Sequence, residues 1–299
     1  MLLTDFFAAL VVQCGFRRAH RQQIELSMRR FAAHLGRDPR VSDANTPHIN
    51  ALVHALTEQG RLSPRSIRNT RDCLRLLRNA AIEQGLLAPT RDKLRSVRVS
   101  QPVVEAWAGE QIERRLLPAV REFPGKCPDC GVAWSDWFTA LILVGWETAL
   151  RRGDLLGRWQ CPSKPWHQED ALRWEHVQGD VIVKPINKTG RVAVKRIRRR
   201  TVRAVARLNR GQPLVFCFPK CSRTFHDMQR HLLASAGLSG SLLRYLRRSA
   251  ATDVELAERG SAKVLLAHVT DGVAEKHYIS SSLMRTREPL PRALKARRA

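Results

Sequence analysis

The chain has 299 residues, enough for two domains that each bury a sizeable core. It carries 52 Lys+Arg against 27 Asp+Glu, a formal net charge of +25, which favours a polyanionic partner, nucleic acid above all, over a merely solvated basic surface or a ribosome-type scaffold binder. No run of about 18 apolar residues occurs, which excludes a membrane-spanning helix. Seven irregularly spaced cysteines argue against a disulfide framework and for a reducing cytoplasm.

Residues 1–90 read as helical throughout. The opening MLLTDFFAALVVQCGFRRAH is apolar but has no basic leader, so it is expected to be a first helix and not a signal peptide. RQQIELSMRRFAAHLG carries Ile24, Met28, Phe31 and Leu35 on one face and stops at Gly36. TPHINALVHALTEQG places Thr46 as N-cap, Pro47 in the first turn and Gly60 past the end. SPRSIRNTRDCLRLLRNAAIEQG repeats this punctuation from Ser63–Pro64 to Gly85. Its apolar stripe is Ile67, Leu74, Leu77 and Ala81; Arg68, Arg71, Arg75 and Arg78 form a second stripe. Such a ladder is either a solvated face or a row of DNA phosphate contacts.

Residues 91–108 lose periodicity and read as a linker to a second domain, 109–299. That domain opens with a helix near Gly109–Val120, followed by a strongly apolar one from about Ser135. Three strand-like runs follow, ALRWEHV, DVIVKPI and RVAVKRI, the last two joined by the turn Asn187–Gly190. Helices are then expected over 199–209, 224–236, 242–259, 261–267 and 271–278, ahead of a basic tail. The class is therefore mainly α with a small β-sheet.

The helix LLRYLRRSAATDVE poses a chemical question. Leu243, Leu246, Ala250, Val254 and Ala257 define its buried stripe, and Arg248 points away from it. Arg247 falls only about 60° from the centre of the stripe at 100° per residue. A half-buried guanidinium is costly unless an anion answers it. Further candidates lie in other segments: Arg151 and Asp154 in ETALRRGDLLGRW, Lys188 in NKTG, Arg244 beside Arg247, and His268 and Tyr278 in LLAHVTDGVAEKHYI.

This order and spacing resemble the tyrosine recombinase (phage integrase) family over nearly the whole chain. TALRRGDLL resembles the first arginine motif of that family, LRRSAAT the second, and LLAHVTDGVAEKHYI the closing histidine-to-tyrosine motif. The first domain resembles the family's helical core-binding domain. The resemblance implies a catalytic domain of the recombinase type and site-specific strand exchange without metal or ATP. Tyr278 would form a 3′-phosphotyrosyl bond. Arg151, Arg244, Arg247 and His268 would stabilise the phosphate, and Lys188 would protonate the leaving 5′-oxygen. Asp154 would orient Arg151. The partner would be double-stranded DNA clamped by both domains. A homotetramer would hold paired sites, with no membrane and no small-molecule substrate. Location would be cytoplasmic, at the nucleoid when DNA-bound. With no further domain ahead of residues 1–90, a simple recombinase is expected over a two-site phage integrase.

The sequence also departs from the pattern. Arg244 stands where the family usually has histidine, and arginine cannot exchange a proton near neutral pH. Ala149 replaces the usual glycine of the first motif. These departures keep open a DNA-binding module of the same fold that no longer cuts, and after it a relaxing topoisomerase. Tyr245 reads as structural. Cys127 and Cys130 have zinc-knuckle spacing, and Cys217, Cys221 or Cys161 could meet them across the fold. The alternative is a set of buried or loop thiols, and no metal is the favoured expectation. Cys14 and Cys73 read as core.

Overall fold

A computed structural model describes residues 1–100, 103–157, 170–218, 221–266 and 277–285. Two compact units divide the chain, residues 1–102 and 103–299.

In the first unit, α1 (Leu3–Cys14), α2 (Arg18–Leu35), α3 (Thr46–Glu58) and α4 (Pro64–Glu83) pack their apolar stripes together. Phe6, Ile24, Phe31, Leu52, Leu74 and Leu77 lie in this core. Ser63 caps α4, its Oγ accepting the Ser66 N–H at 3.3 Å, with Pro64 in the first turn. The cap of α3 lies one residue before the expected Thr46. Asn45 Oδ1 accepts the His48 N–H at 3.0 Å, and Thr46 is the first helical residue. Cys73 is buried as expected, whereas Cys14 is exposed at the end of α1.

The arginine ladder of α4 is not uniformly solvated. The Arg71 side chain is only 12% exposed and donates to Asp72 Oδ1 at 2.6 and 3.1 Å and to the Arg95 carbonyl at 3.1 Å. Arg68 and Arg75 stand 3.9 and 3.8 Å from the same carboxylate, and Arg78 donates to Asn79 Oδ1 at 3.3 Å. The non-periodic segment after α4 is held down at its start. Asn50 accepts the Arg95 N–H at 2.7 Å and donates to the Lys93 carbonyl at 3.2 Å, and Leu94 and Val97 join the core.

The second unit is built around α7 (Trp134–Thr148), which is apolar on nearly every side and therefore central. A short α5 (Gly109–Gln111), a π turn (Ile112–Leu116) and α6 (Leu117–Arg121) precede it, and α8 (Arg152–Leu156) follows. Strands β1 (Val177–Gln178), β2 (Val181–Pro185) and β3 (Val192–Arg196) form an antiparallel sheet in that order, with Val177 opposite Ile182 and Ile182 opposite Lys195. Helices α9 (Arg199–Ala206), α10 (Ser222–Ser235), α11 (Leu242–Ala257), α12 (Ser261–Leu266) and α13 (Ser281–Arg285) complete the unit. The chain is thus mainly α with one small antiparallel sheet.

The run ALRWEHV is not a full strand. Residues Trp174–His176 form a 3-10 turn, and only Val177 enters the sheet. Its extended part pairs with a different segment. The Val215 N–H donates to the Leu172 carbonyl at 3.0 Å, and the Trp174 N–H to the Pro213 carbonyl at 3.2 Å. Most of the expected helix at 271–278, and the basic tail beyond 285, lie outside the described residues. Among the described residues no helix is long and apolar enough to cross a membrane.

Candidate catalytic cavity

Helix α7 ends in a left-handed turn. Ala149, fully buried, has φ 52 and ψ 25, the position at which the sequence departs from glycine. Arg151 follows in extended conformation at the N-cap of α8. Three residues on, Asp154 is buried and accepts two main-chain N–H groups, from Arg151 at 3.2 Å and from Asn187 at 2.9 Å. The Asn187 amide in turn donates to the carbonyls of Gly153 at 2.7 Å and Asp170 at 3.0 Å. Asp154 therefore joins the Arg151 turn to the tip of the β2–β3 hairpin, and it holds Arg151 through the backbone.

Removing that carboxylate strands two N–H groups in the interior, at about 1–3 kcal/mol each. Asp154→Ala is accordingly expected to cost about 2–6 kcal/mol in denaturant unfolding. Asp154→Asn keeps an acceptor for only one of the two N–H groups and is expected to cost about half of that. Equal losses in the two variants would contradict this account of Asp154.

A cavity of about 540 Å³ opens beside this turn. It is lined by Arg151, Arg152, Gly153, Phe225, His226, Gln229, Ser241, Leu243, Arg244, Arg247 and Tyr278. The expected Arg151, Arg244, Arg247 and Tyr278 are thus brought together by α8, α11 and the segment before α13. Lys188 is exposed in the hairpin turn and is not among the lining residues. His268 lies outside the described residues.

Arg247 is more deeply placed than helical geometry alone suggests, at 6% exposure. Its Nη1 donates to the Ala149 carbonyl, and its Nη2 to the Leu266 carbonyl at 3.3 Å. Its Nε–H is buried and has no hydrogen-bond partner among the described residues. Burial, and then the neighbouring charge of Arg151, lower its pKa to about 10, with the Tyr278 phenol acting in the opposite sense. The Arg247 Cζ stands 4.8 Å from the Tyr278 ring centroid. Two neighbouring guanidinium groups, one buried with an unanswered N–H, form a fixed electropositive site suited to a phosphate.

Tyr278 is half-buried against the cluster of Ala149, Ala250, Ala251, Ala262 and Leu266. Just beyond it, the Ser280 N–H donates to Thr252 Oγ1 at 3.0 Å, which ties the tyrosine segment to α11. The chain's other tyrosine is structural. The Tyr245 hydroxyl donates to Glu105, and its ring packs 5.1 Å from Trp107. Arg248 does not point freely to solvent: it is half-buried and donates to the Glu105 carbonyl at 3.3 Å.

Three polar groups of this region were not singled out as site residues by sequence. His226, half-buried on α10, lines the cavity with its Nδ1 2.9 Å from Gln229 Nε2. Burial, then the Arg152 guanidinium, hold its imidazolium below the usual range, so the ring is neutral at pH 7. Gln229 itself is buried. Lys195 of β3 donates to the Leu265 carbonyl at 2.5 Å, and burial followed by the Arg247 charge lowers its pKa to about 8. Lys195 shares a strand face with the buried Ala193, but the run Val192–Val194 is apolar throughout and does not reveal that face in sequence. No signal marks His226 either.

This architecture is the tyrosine recombinase fold. The chain is similar to lambda integrase (residues 75–356) in a dimer bound to a COC′ core site, at 16% identity over 96% of each chain, TM-score 0.70. It is likewise similar to the Tn1549 transposon integrase in complex with transposon right end DNA, at 14% identity over 100% of each chain, TM-score 0.69. A lambda integrase tetramer bound to a Holliday junction matches 97% of this chain and 80% of its own, at 16% identity and TM-score 0.67. No protein-family model and no curated protein matches the sequence.

Proposed function

We propose that the protein is a tyrosine-type site-specific recombinase that cuts and rejoins double-stranded DNA through a transient 3′-phosphotyrosyl bond. The observation that carries this reading is the meeting of Arg151, Arg244, Arg247 and Tyr278 in one cavity, with Arg247 stacked on the tyrosine. The Tyr278 phenol oxygen attacks the scissile phosphorus and gives up its proton to water. The phosphorus–5′-oxygen bond breaks, and the leaving oxygen takes a proton from Lys188. A 5′-hydroxyl from the partner duplex reverses the step and releases the phenol. Negative charge grows on the non-bridging oxygens during both steps, and the charges of Arg151 and Arg247, with the unanswered Nε–H of Arg247, stabilise it. Arg68, Arg75 and Arg78 of α4 serve as phosphate contacts, and Arg71 braces Asp72 among them. Similar folds occur as a dimer on a core site and as a tetramer on a Holliday junction, which supports a homotetramer on paired duplexes here.

His226 supplies the imidazole that the Arg244 position lacks. With Gln229 Nε2 donating to Nδ1, its neutral ring carries the proton on Nε2 and donates it to a phosphate oxygen. His226→Phe keeps the ring's bulk and removes the donor. Its cleavage rate is expected to fall about 10²-fold, the scale of one lost oxyanion donor. Duplex affinity is expected to stay within about threefold of wild type, under 1 kcal/mol. An unchanged cleavage rate would remove His226 from the mechanism.

The second reading, a non-cutting DNA-binding module, is favoured by Arg244. The test is incubation of the purified protein with pooled genomic fragments, including the flanks of its own gene, followed by recovery of adducts that survive detergent and phenol. Enrichment at a defined inverted repeat supports the recombinase. Tight duplex binding with no adduct supports the module. Site-independent relaxation of supercoils would indicate the topoisomerase.

A further inference from the structure

Outside the cavity, three cysteine sulfurs converge. Those of Cys127, Cys130 and Cys217 all lie within 4.8 Å of one another. The first two sit on a tight turn in the run CPDCG. The Cys127 N–H donates to the Val132 carbonyl at 2.8 Å, and the Gly131 N–H returns to the Cys127 carbonyl at 2.8 Å. Gly131, at φ 67, takes the left-handed conformation that closes the turn. Cys127 is fully buried and the other two are half-buried. Cys217 reaches them from 90 residues further along the chain, and its carbonyl accepts the Trp137 indole N–H at 3.0 Å.

A single disulfide would use two of these sulfurs and leave the third against it. A thiolate-preferring cation uses all three at once. Tetrahedral zinc holds sulfur at about 2.3 Å, which sets neighbouring sulfurs roughly 3.8 Å apart. The observed spread needs only a contraction of about 1 Å or less to reach that figure. Cys221 follows Cys217 in the run CFPKC, within the two-to-four-residue gap usual for paired zinc ligands. It is half-buried at the start of α10, with its sulfur 3.5 Å from Thr224 Oγ1.

We propose that this cluster is a structural zinc site, with Cys127, Cys130 and Cys217 as three thiolate ligands and Cys221, turned away from Thr224, as the fourth. All four positions are filled by protein, so the ion binds no substrate and takes no part in strand transfer. It joins the turn that leads into α7 to the segment that leads into α10. Those two helices lead to the cavity: α7 runs on to the Arg151 turn, and α10 carries His226.

The test is the metal content of the full chain isolated from cells without chelator. About one zinc per chain is expected. Cys127→Ser and Cys217→Ser are expected to lose it, while the exposed Cys14→Ser keeps it. Should the first two variants fail to fold, cobalt added to the reduced wild-type chain provides a second readout. Intense visible d–d bands with thiolate charge transfer support a tetrahedral thiolate site. A chain isolated without metal that also gives no cobalt bands overturns the proposal. Zinc kept in full by Cys221→Ser, and lost from Cys161→Ser, overturns the assignment of the fourth ligand. None of these readouts requires DNA cleavage, so the proposal stands or falls apart from the recombinase reading.

Discussion

Tyr278→Phe is expected to yield no covalent DNA adduct while binding duplex DNA as tightly as the wild type. The substitution removes one oxygen, the atom proposed to attack phosphorus. The ring remains, and with it the contacts to Ala149, Ala250, Ala251, Ala262 and Leu266 and the stacking of Arg247 at 4.8 Å. The phenol oxygen also interacts with the buried Arg247 guanidinium, so folding stability should fall by about 1–2 kcal/mol, while duplex affinity should change by no more than about twofold. Attack is favoured by nearby cations that stabilise negative charge on the oxygen as its proton leaves. Arg247 and Arg151 are the cations the cavity places there. Adducts that persist in the Phe variant would move the nucleophile to another residue.

Arg247→Lys is the second large effect. Arginine here does three things at once. It donates to the Ala149 carbonyl, donates to the Leu266 carbonyl at 3.3 Å, and keeps an unanswered Nε–H. Lysine carries the same charge on a compact ammonium without the planar fork, so it cannot serve both carbonyls and a phosphate in this geometry. Cleavage is expected to slow by about 10²–10³-fold, the scale of one lost transition-state donor. One carbonyl left without a donor adds a stability loss of about 1–3 kcal/mol. Single-turnover cleavage and denaturant unfolding measured on the same preparation separate the two effects. A variant with its stability lowered and its cleavage rate unchanged would make Arg247 a structural residue only.

The fold class, and the residues Arg151, Arg244, Arg247 and Tyr278 that meet in one cavity, were legible because their signals are local. Helix punctuation at Ser63–Pro64, the hairpin turn at Asn187–Gly190 and the 100° advance of α11 each depend on residues close in sequence. What the sequence hid depends on distant partners. Arg247 reads as half-buried from its helix alone. Its full burial follows from α12 and the Ala149 turn, which cover it with carbonyl oxygens. The run ALRWEHV alternates like a strand, but alternation does not name its partner, and Leu172 pairs with Val215 instead of extending the sheet. His226 faces the cavity only because of how α10 packs, and helical periodicity there reports the buried Phe225, Leu232 and Leu233 rather than the polar edge. The Arg68–Arg78 ladder read as one face. Three of its members, Arg68, Arg71 and Arg75, are drawn together by Asp72. For the cysteines, the spacing of Cys127 and Cys130 was visible, while the approach of Cys217 required the fold.

The most direct test of the central claim is mass spectrometry of the covalent adduct. Wild-type protein trapped on its enriched genomic fragment would be digested with nuclease and protease, and the nucleotide-bearing peptide sequenced. A residual 3′-linked nucleotide is expected on the phenol oxygen of Tyr278, in the peptide that runs into Ile279 and Ser280. A nucleotide on any other side chain, or no modified peptide from protein that remains tightly bound to that fragment, would contradict it.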